Sequence, residues 1–305
     1  MKAATPASAA LSRLILTEID PHIFALLRVV WGLLGLLGLL GVTDMAAFWE
    51  PSGLVAPAGS TVRQLAERAG GAETAGPWIF WGCVAAYAAM TAGIATRLAV
   101  VAAFAAAVAQ ASWNPLPLSG AYQAHRVLLF CLIWADCGAV WSVDALARRG
   151  AAAIRQPIWP LRLFRFQVAL LYVSSGLWKL QDVHWRDGSA LHYVMSNVQF
   201  RRAPVDPPPW TAEALTFLTY LTLFWELLFP LLVLHRVSRR AALVLGVILH
   251  AGMWMTLELG PFAPVMIASY LAFLDPADVR ALPGRFKESG RRLRRRLPFA
   301  SSAAG

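Results

Sequence analysis

Long apolar stretches separated by short polar segments constrain this chain more than any other feature. They lie near residues 22–43, 77–94, 97–113, 125–142, 162–180, 211–234, 240–257 and 262–274. A run of about 20 apolar residues is long enough to cross a bilayer as a helix. The composition agrees, since 58% of the 305 residues are hydrophobic and only 14% are charged. The sequence therefore predicts an all-α fold, a polytopic transmembrane helical bundle of about eight spans.

The basic residues predict the orientation of these spans. The formal net charge is +10, but nearly all Lys and Arg residues flank the apolar stretches, which favours a lipid bilayer over nucleic acid as the partner. If the stretches alternate across the membrane, 18 basic residues fall on one side and five on the other. Cytoplasmic loops keep the excess of positive charge. We therefore expect both termini in the cytoplasm of a multi-pass plasma-membrane protein.

The same pattern divides the chain into three parts. Residues 1–21 are predicted to form an N-terminal interfacial segment, residues 22–276 the transmembrane domain, and residues 277–305 a basic cytoplasmic tail. The last apolar stretch has only about two-thirds of the usual length of a span. It is counted as a span because the basic tail would otherwise lie outside the cell, against the charge rule.

Ionisable residues inside the apolar stretches are the candidates for function, because a charge in hydrocarbon costs at least about 2.5 to 3.5 kcal/mol. Lys179 lies near the outward end of the fifth stretch, where it either snorkels to the interface or serves as a general base after partial desolvation. His125 begins the fourth stretch at a similar depth, so the two are expected to face one outward cavity. Glu226 and His250 are predicted to meet inside the bundle, as a structural pair or as a proton relay.

Two further observations carry structural predictions. Asp136 lies deeper in the fourth stretch and is expected to form a salt bridge with Arg28 or Arg165. The three cysteines all lie within apolar stretches and show no CxxC spacing. Neither a disulfide framework nor a metal site is therefore predicted.

Two strings resemble a known protein family. Gly176-Leu177-Trp178-Lys179-Leu180 is followed by Trp185-Arg186-Asp187-Gly188-Ser189-Ala190. Together they resemble the bacterial HTTM (horizontally transferred transmembrane) domain proteins and the vitamin K-dependent gamma-carboxylase to which these are related. The similarity extends roughly over residues 120–276.

This resemblance implies roles for several residues. By resemblance, Lys179 is the base that deprotonates a reduced menaquinone or vitamin K hydroquinone, His125 supports a substrate carbanion, and His250 is the family's intramembrane histidine. Trp178, Trp185 and Glu226 are expected beside that cofactor. The implied enzyme is a quinol-dependent carboxylase or oxygenase-like lyase with an outward-facing site, an isoprenoid quinone as cofactor and an exported peptide as substrate.

Two other functions remain open at the level of sequence. In the first, the chain is a non-enzymatic membrane partner, such as a maturation or immunity factor for an exported peptide, and its outward loops carry the function. In the second, it is a proton-coupled transporter in which Glu226 and His250 relay protons.

Overall fold

The computed structural model describes residues 15–40, 71–113, 120–148, 155–202 and 208–282, together with residues 64, 65 and 68. Helices joined by short turns make up most of this part of the chain. They are α1 (His22–Leu40), α2 (Ala72–Ala92), α3 (Thr96–Trp113), α4 (Gly120–Leu132), α5 (Val143–Ala147), α6 (Trp159–Lys179), α7 (Val183–Arg186), α8 (Ala190–Ser196), α9 (Ala212–Leu232), α10 (Arg236–Thr256), α11 (Phe262–Ser269) and α12 (Pro276–Leu282). Two 3-10 turns, Pro209–Thr211 and Tyr270–Phe273, precede α9 and follow α11. The all-α prediction is confirmed.

One small antiparallel ribbon accompanies the helices. Strand β1 (Glu18–Ile19) precedes α1 and pairs with β2 (Gln156–Pro157), which precedes α6. Residues 15–20 of the predicted N-terminal segment thus join the entrance of α6, while residues 1–14 lie outside the described residues. At the other end, residues 277–282 belong to α12, and the rest of the predicted basic tail lies outside the described part.

The core lies where α1, α4, α6 and α9 meet. Its centre is formed by large apolar side chains that are almost fully buried, among them Trp31, Leu128, Phe164 and Phe229. Helices α2 and α3 pack as an antiparallel pair against α1, and α6 packs along α9. These buried faces hold the ends of α6, α9 and α10 in fixed relative positions.

Helix length and hydropathy test the predicted spans. Within the described residues, His22–Leu40 and Ala212–Leu232 are long and apolar enough to cross a membrane. The bent pair Phe262–Phe273 and Pro276–Leu282, with 109° between its helices, makes a third if it counts as one span. The count of eight spans and the orientation of the termini therefore remain predictions.

The fourth apolar stretch differs from its predicted form. Helix α4 begins at Gly120 and ends at Leu132, whereas a span to residue 142 was expected. Beyond the helix, Asp136 Oδ1 accepts a hydrogen bond from the backbone N–H of Gly138, and the side-chain amide of Gln156 bonds both backbone groups of Asp136. These bonds stabilise a turn where hydrophobicity alone predicts a continued helix.

The predicted partner of Asp136 is also wrong. Its carboxylate lies 3.8 Å from Arg148, outside the bundle, and Arg165 donates instead to the backbone carbonyls of Ala272 and Leu274. Both carbonyls belong to the end of the 3-10 turn, which has unpaired acceptors. Backbone dipoles take the place of the carboxylate that the sequence suggested.

Arg28, which is fully buried, also donates to backbone carbonyls instead of to a carboxylate. Its guanidinium donates to the carbonyls of Met90 and Thr91 in the last turn of α2, and to that of Trp141. A cation is favourable at a helix C-terminus, where the carbonyl groups lack helical partners. Arg28 therefore joins α1 to the end of α2 and to the turn after α4.

Candidate functional site

A glycine brings α6 and α9 close enough to join Lys179 to Glu226. Gly176 lies one turn before Lys179, and a Cβ at Gly176 would lie 2.8 Å from Cδ2 and 3.3 Å from the backbone N of Leu227. Any larger residue would force the helices apart. At this close approach Lys179 Nζ donates to Glu226 Oε1 in a short ion pair.

A short loop covers the ion pair with an aromatic ring. Lys179 Nζ lies 4.6 Å from the centre of the Trp185 ring, within the range of a cation–π contact. Helix α7, which carries Trp185, begins where the Asp182 side chain accepts from the backbone N–H of His184. Its end is tied to α9 because the Tyr220 hydroxyl donates to the carbonyl of Arg186. These bonds fix the ring over the ammonium.

Exposure shows which side of the pair can be reached. The Lys179 side chain is 21% exposed and the Glu226 side chain 10% exposed. Glu226 Oε2 is buried and makes no hydrogen bond within 3.5 Å in the described part of the chain, although the Ser175 hydroxyl lies close to the same carboxylate. A buried carboxylate oxygen without a partner is costly, so this atom is available to a donor that enters beside Lys179.

His250 belongs to an aromatic cluster that lies next to the pair. Its Nδ1 donates to the backbone carbonyl of Gly246 at 2.8 Å and lies 3.4 Å from the Tyr270 hydroxyl. The Tyr270 and Tyr172 hydroxyls are 2.6 Å apart, and both interact electrostatically with Glu226. Tyr172 and Tyr270 thus share a hydrogen bond, and His250 contacts the Tyr270 end of this pair.

His125 lies in a different cluster. Its Nε2 bonds the carbonyl of Trp31 at 3.0 Å, and the Trp31 indole N–H bonds the carbonyl of His125 at 3.1 Å. Its ring also contacts Tyr87, and a cavity of about 20 Å³ beside it has room for about one water molecule. No described contact joins His125 to Lys179, so the structure does not bring them into the one cavity that was expected.

The two tryptophans predicted beside a cofactor have different positions. Trp185 covers Lys179, whereas Trp178 is 72% exposed on the surface of α6. Lys179, Glu226 and Trp185 are therefore brought together, His250 lies in the adjacent cluster, and His125 and Trp178 lie elsewhere. Sequence reasoning missed Tyr172, although it precedes Lys179 by seven residues and thus lies on the same face of α6.

The fold and this site define an all-α membrane protein with an ion pair between two of its apolar helices. The HTTM domain family matches residues 17–277, and the chain belongs to that family, which is related to the gamma-carboxylase. The resemblance seen in the sequence is thereby confirmed.

One relative is the sporulation-delaying protein SdpB of Bacillus subtilis (strain 168), which is 24% identical over 121 residues. That match covers 38% of this chain and 38% of the relative. No solved structure matches the chain.

Proposed function

We propose that this protein is a quinol-dependent membrane enzyme, carboxylase- or oxygenase-like. In it, Lys179 is the general base that removes a proton from the quinol, and Glu226 accepts the proton of Lys179. One observation carries the proposal. The Lys179 ammonium is held between Glu226 and the Trp185 ring at a partly exposed helix end, while Glu226 Oε2 lacks a partner. Charge retained among apolar helices is costly and marks a functional site.

The topology forms part of the proposal. With eight spans and cytoplasmic termini, Lys179 lies at the outward end of α6, where an exported peptide can reach it. The excess of basic residues on the opposite side supports this orientation. The Trp185 loop then lies on the outer face of the membrane.

The residues present fit a reduced menaquinone or vitamin K hydroquinone. A phenolic hydroxyl is a donor, and Glu226 Oε2 is a buried acceptor without a partner. The quinol, when bound, supplies the reducing equivalents and an acidic hydroxyl. In apolar surroundings a proton that moves from Lys179 Nζ to Glu226 converts the ion pair into a neutral amine and a neutral acid. The amine formed at Lys179 is a general base.

Native mass spectrometry and quinol turnover test the proposal together. We expect the detergent-purified protein to retain an isoprenoid quinone, and Lys179→Ala to abolish quinol oxidation while the protein stays folded. Lys287→Ala is the matched control, since Lys287 belongs to the predicted tail, and it should leave turnover unchanged. Turnover that survives Lys179→Ala would remove Lys179 as the base.

A second function, a non-enzymatic partner of an exported peptide, is favoured by the segment between α6 and α9. Tyr193, Val198, Phe200 and Trp210 are all exposed there. Exposed apolar side chains in this connecting segment are available to contact a protein partner. The similarity to SdpB covers too little of either chain to decide between the two functions.

This second function makes a different prediction from the first. Val198→Ser with Phe200→Ser should then abolish capture of the exported peptide partner, while Lys179→Ala should leave capture intact. Quinol oxidation that depends on Lys179, with no effect of the loop variants on peptide capture, would contradict it.

A further inference from the structure

A cleft with charges of both signs lies at the opposite end of α6 from Lys179. Its volume is about 340 Å³, a size typical of small-ligand sites. Three segments that are far apart in the sequence line it, namely strand β1 and the residue after it, the residue before β2, and the bend that leads into α12. The charged residues of the cleft are Glu18, Asp20, Asp275, Arg155 and Arg280.

Hydrogen bonds and an ion pair fix the walls of the cleft. On one wall, β1 pairs with β2 as an antiparallel ribbon. On the other, Asp275 Oδ1 accepts from the backbone N–H of Ala277 at 3.0 Å, at the start of α12. Arg280 Nη1, from α12, lies 3.4 Å from Asp20 Oδ2 and joins the two walls. The cleft is therefore held in shape by contacts of the protein itself.

Several charges of the cleft do not pair with one another. Asp20 pairs with His22, but Glu18, Asp275 and Arg155 form no ion pair within the described residues. All three are exposed, so a ligand can reach them. Carboxylates and a guanidinium around one cleft complement a small molecule that carries both an ammonium and a phosphate group.

The position of the cleft relative to the bilayer points to the source of such a molecule. Helix α1 begins at His22, beside the cleft, and it is long and apolar enough to cross a membrane. The start of a span lies at the level of the lipid headgroups. Helix α6 has 21 residues, so about 30 Å separates the cleft from Lys179. The cleft thus faces headgroups on the side of the membrane opposite Lys179.

We propose that this cleft binds a phosphoethanolamine headgroup, carried by a phosphatidylethanolamine lipid. The Arg155 guanidinium binds the phosphate, and the ammonium donates to the carboxylates of Glu18 and Asp275. A choline headgroup has no N–H to donate, and a glycerol headgroup has no ammonium, so the site discriminates against both. The site does not depend on quinol chemistry, because it lies at the far end of α6 from Lys179.

Native mass spectrometry of the detergent-purified full-length protein tests the site. The probes are phosphatidylethanolamine, phosphatidylcholine and phosphatidylglycerol with the same acyl chains. Wild type should bind phosphatidylethanolamine about tenfold more tightly than the other two, because only its ammonium makes charge-assisted hydrogen bonds to the carboxylates. Glu18→Gln with Asp275→Asn keeps the shape and the cap of α12, and should lower this affinity to that for phosphatidylcholine. Arg155→Ala should weaken binding of both lipids about tenfold.

Arg240→Ala is the matched control for loss of positive charge. Arg240 is exposed near the start of α10, on the same predicted side of the membrane, and does not line the cleft. This variant should leave lipid binding unchanged. Thermal unfolding in detergent shows that each variant is folded.

Soluble glycerophosphoethanolamine separates the two sources of the headgroup. If it binds wild type but not the carboxylate variant, and the three lipids bind equally, the site keeps its chemistry but takes a free zwitterion, and the lipid is excluded. A preference for phosphatidylethanolamine that survives the carboxylate variant would overturn the site. So would equal binding of the three lipids without variant-dependent binding of the soluble compound.

Discussion

At the scale of single residues, the ion pair between Lys179 and Glu226 is the feature that the rest of the site depends on. A buried pair gains little net stability, because desolvation of two charges offsets their attraction. Loss of one partner is different, since it leaves an unpaired charge among apolar helices. The ion pair is therefore better explained by a role in proton transfer than by a contribution to the stability of the fold. If so, removal of one partner should destabilise the protein more than removal of both.

A double-mutant cycle measures this consequence. Lys179→Met leaves the Glu226 carboxylate without its partner and should lower the free energy of unfolding by about 2 kcal/mol, less than for a fully buried pair because Lys179 is 21% exposed. Adding Glu226→Leu should recover most of that loss. Unfolding is followed by tryptophan fluorescence in detergent. Additive losses in the double variant would show that the two side chains are not coupled.

Asp144 gives a second prediction at this scale, outside the apolar stretches. Its carboxylate accepts from the backbone N–H groups of Ala95 and Thr96 at 2.9 and 2.7 Å, at the start of α3. The bond from Thr96, above all, lowers the pKa of Asp144 below its usual value. The carboxylate acts as a helix cap for α3 that is supplied from the start of α5, 48 residues further along the chain.

The sign of the pH dependence follows from the lowered pKa of Asp144. The stability from this cap is complete above the unfolded pKa, near about 4, and is lost as pH falls through the lower folded pKa. Asp144→Ala should cost about 1 kcal/mol at pH 7, and wild type and variant should converge in strong acid. Glu213→Ala is the control for the helix-dipole effect alone, because Glu213 is exposed in the first turn of α9 and accepts no hydrogen bond from the described residues, so its loss should cost less than that of Asp144. A difference that stays constant down to strong acid would contradict the cap.

At the scale of helices, close packing at glycines positions the site. Gly176 lets α6 approach α9, and Gly246 lets Trp225 and Tyr270 pack against α10 beside His250. The positions of these helices could be predicted, because long apolar runs mark them directly. The end of α4 could not, because Gln156 stabilises the turn at Asp136 from 20 residues away. The direction of His125 could not be predicted either, since its ring bonds the backbone carbonyl of Trp31, which is 94 residues away in the sequence.

Two glycines on α10 allow a matched test of this packing. A Cβ at Gly246 would meet Trp225 and Tyr270, while a Cβ at Gly252 would meet nothing within 4 Å. Gly246→Ala should therefore lower the free energy of unfolding by about 1 to 3 kcal/mol. Gly252→Ala should raise it slightly, because alanine favours a helix over glycine by about 1 kcal/mol. Equal effects in thermal unfolding would show that Gly246 is not a packing site.

At the scale of the whole molecule, the distribution of charge predicts which side of the membrane the site faces. Basic residues gather at the ends of the apolar stretches opposite Lys179, as expected for cytoplasmic loops. Helix length alone does not give the orientation. Among the described residues, only two helices, or three if the bent pair is one span, are long and apolar enough to cross a membrane. Orientation must therefore be measured on the intact membrane, and the enzymatic proposal depends on the result, since an exported peptide meets only an outward site.

Cysteine labelling makes this measurement. The native cysteines, Cys83, Cys131 and Cys137, are all buried and can be replaced by alanine. In that background Gln199→Cys marks the loop after Lys179, and Ala147→Cys marks the end of α5; both positions are exposed. A membrane-impermeant maleimide added to intact cells should label Gln199→Cys, and should label Ala147→Cys only after permeabilisation. The reverse pattern would place Lys179 in the cytosol, where no exported substrate reaches it, and the quinol-dependent site would then have to act on a cytoplasmic partner.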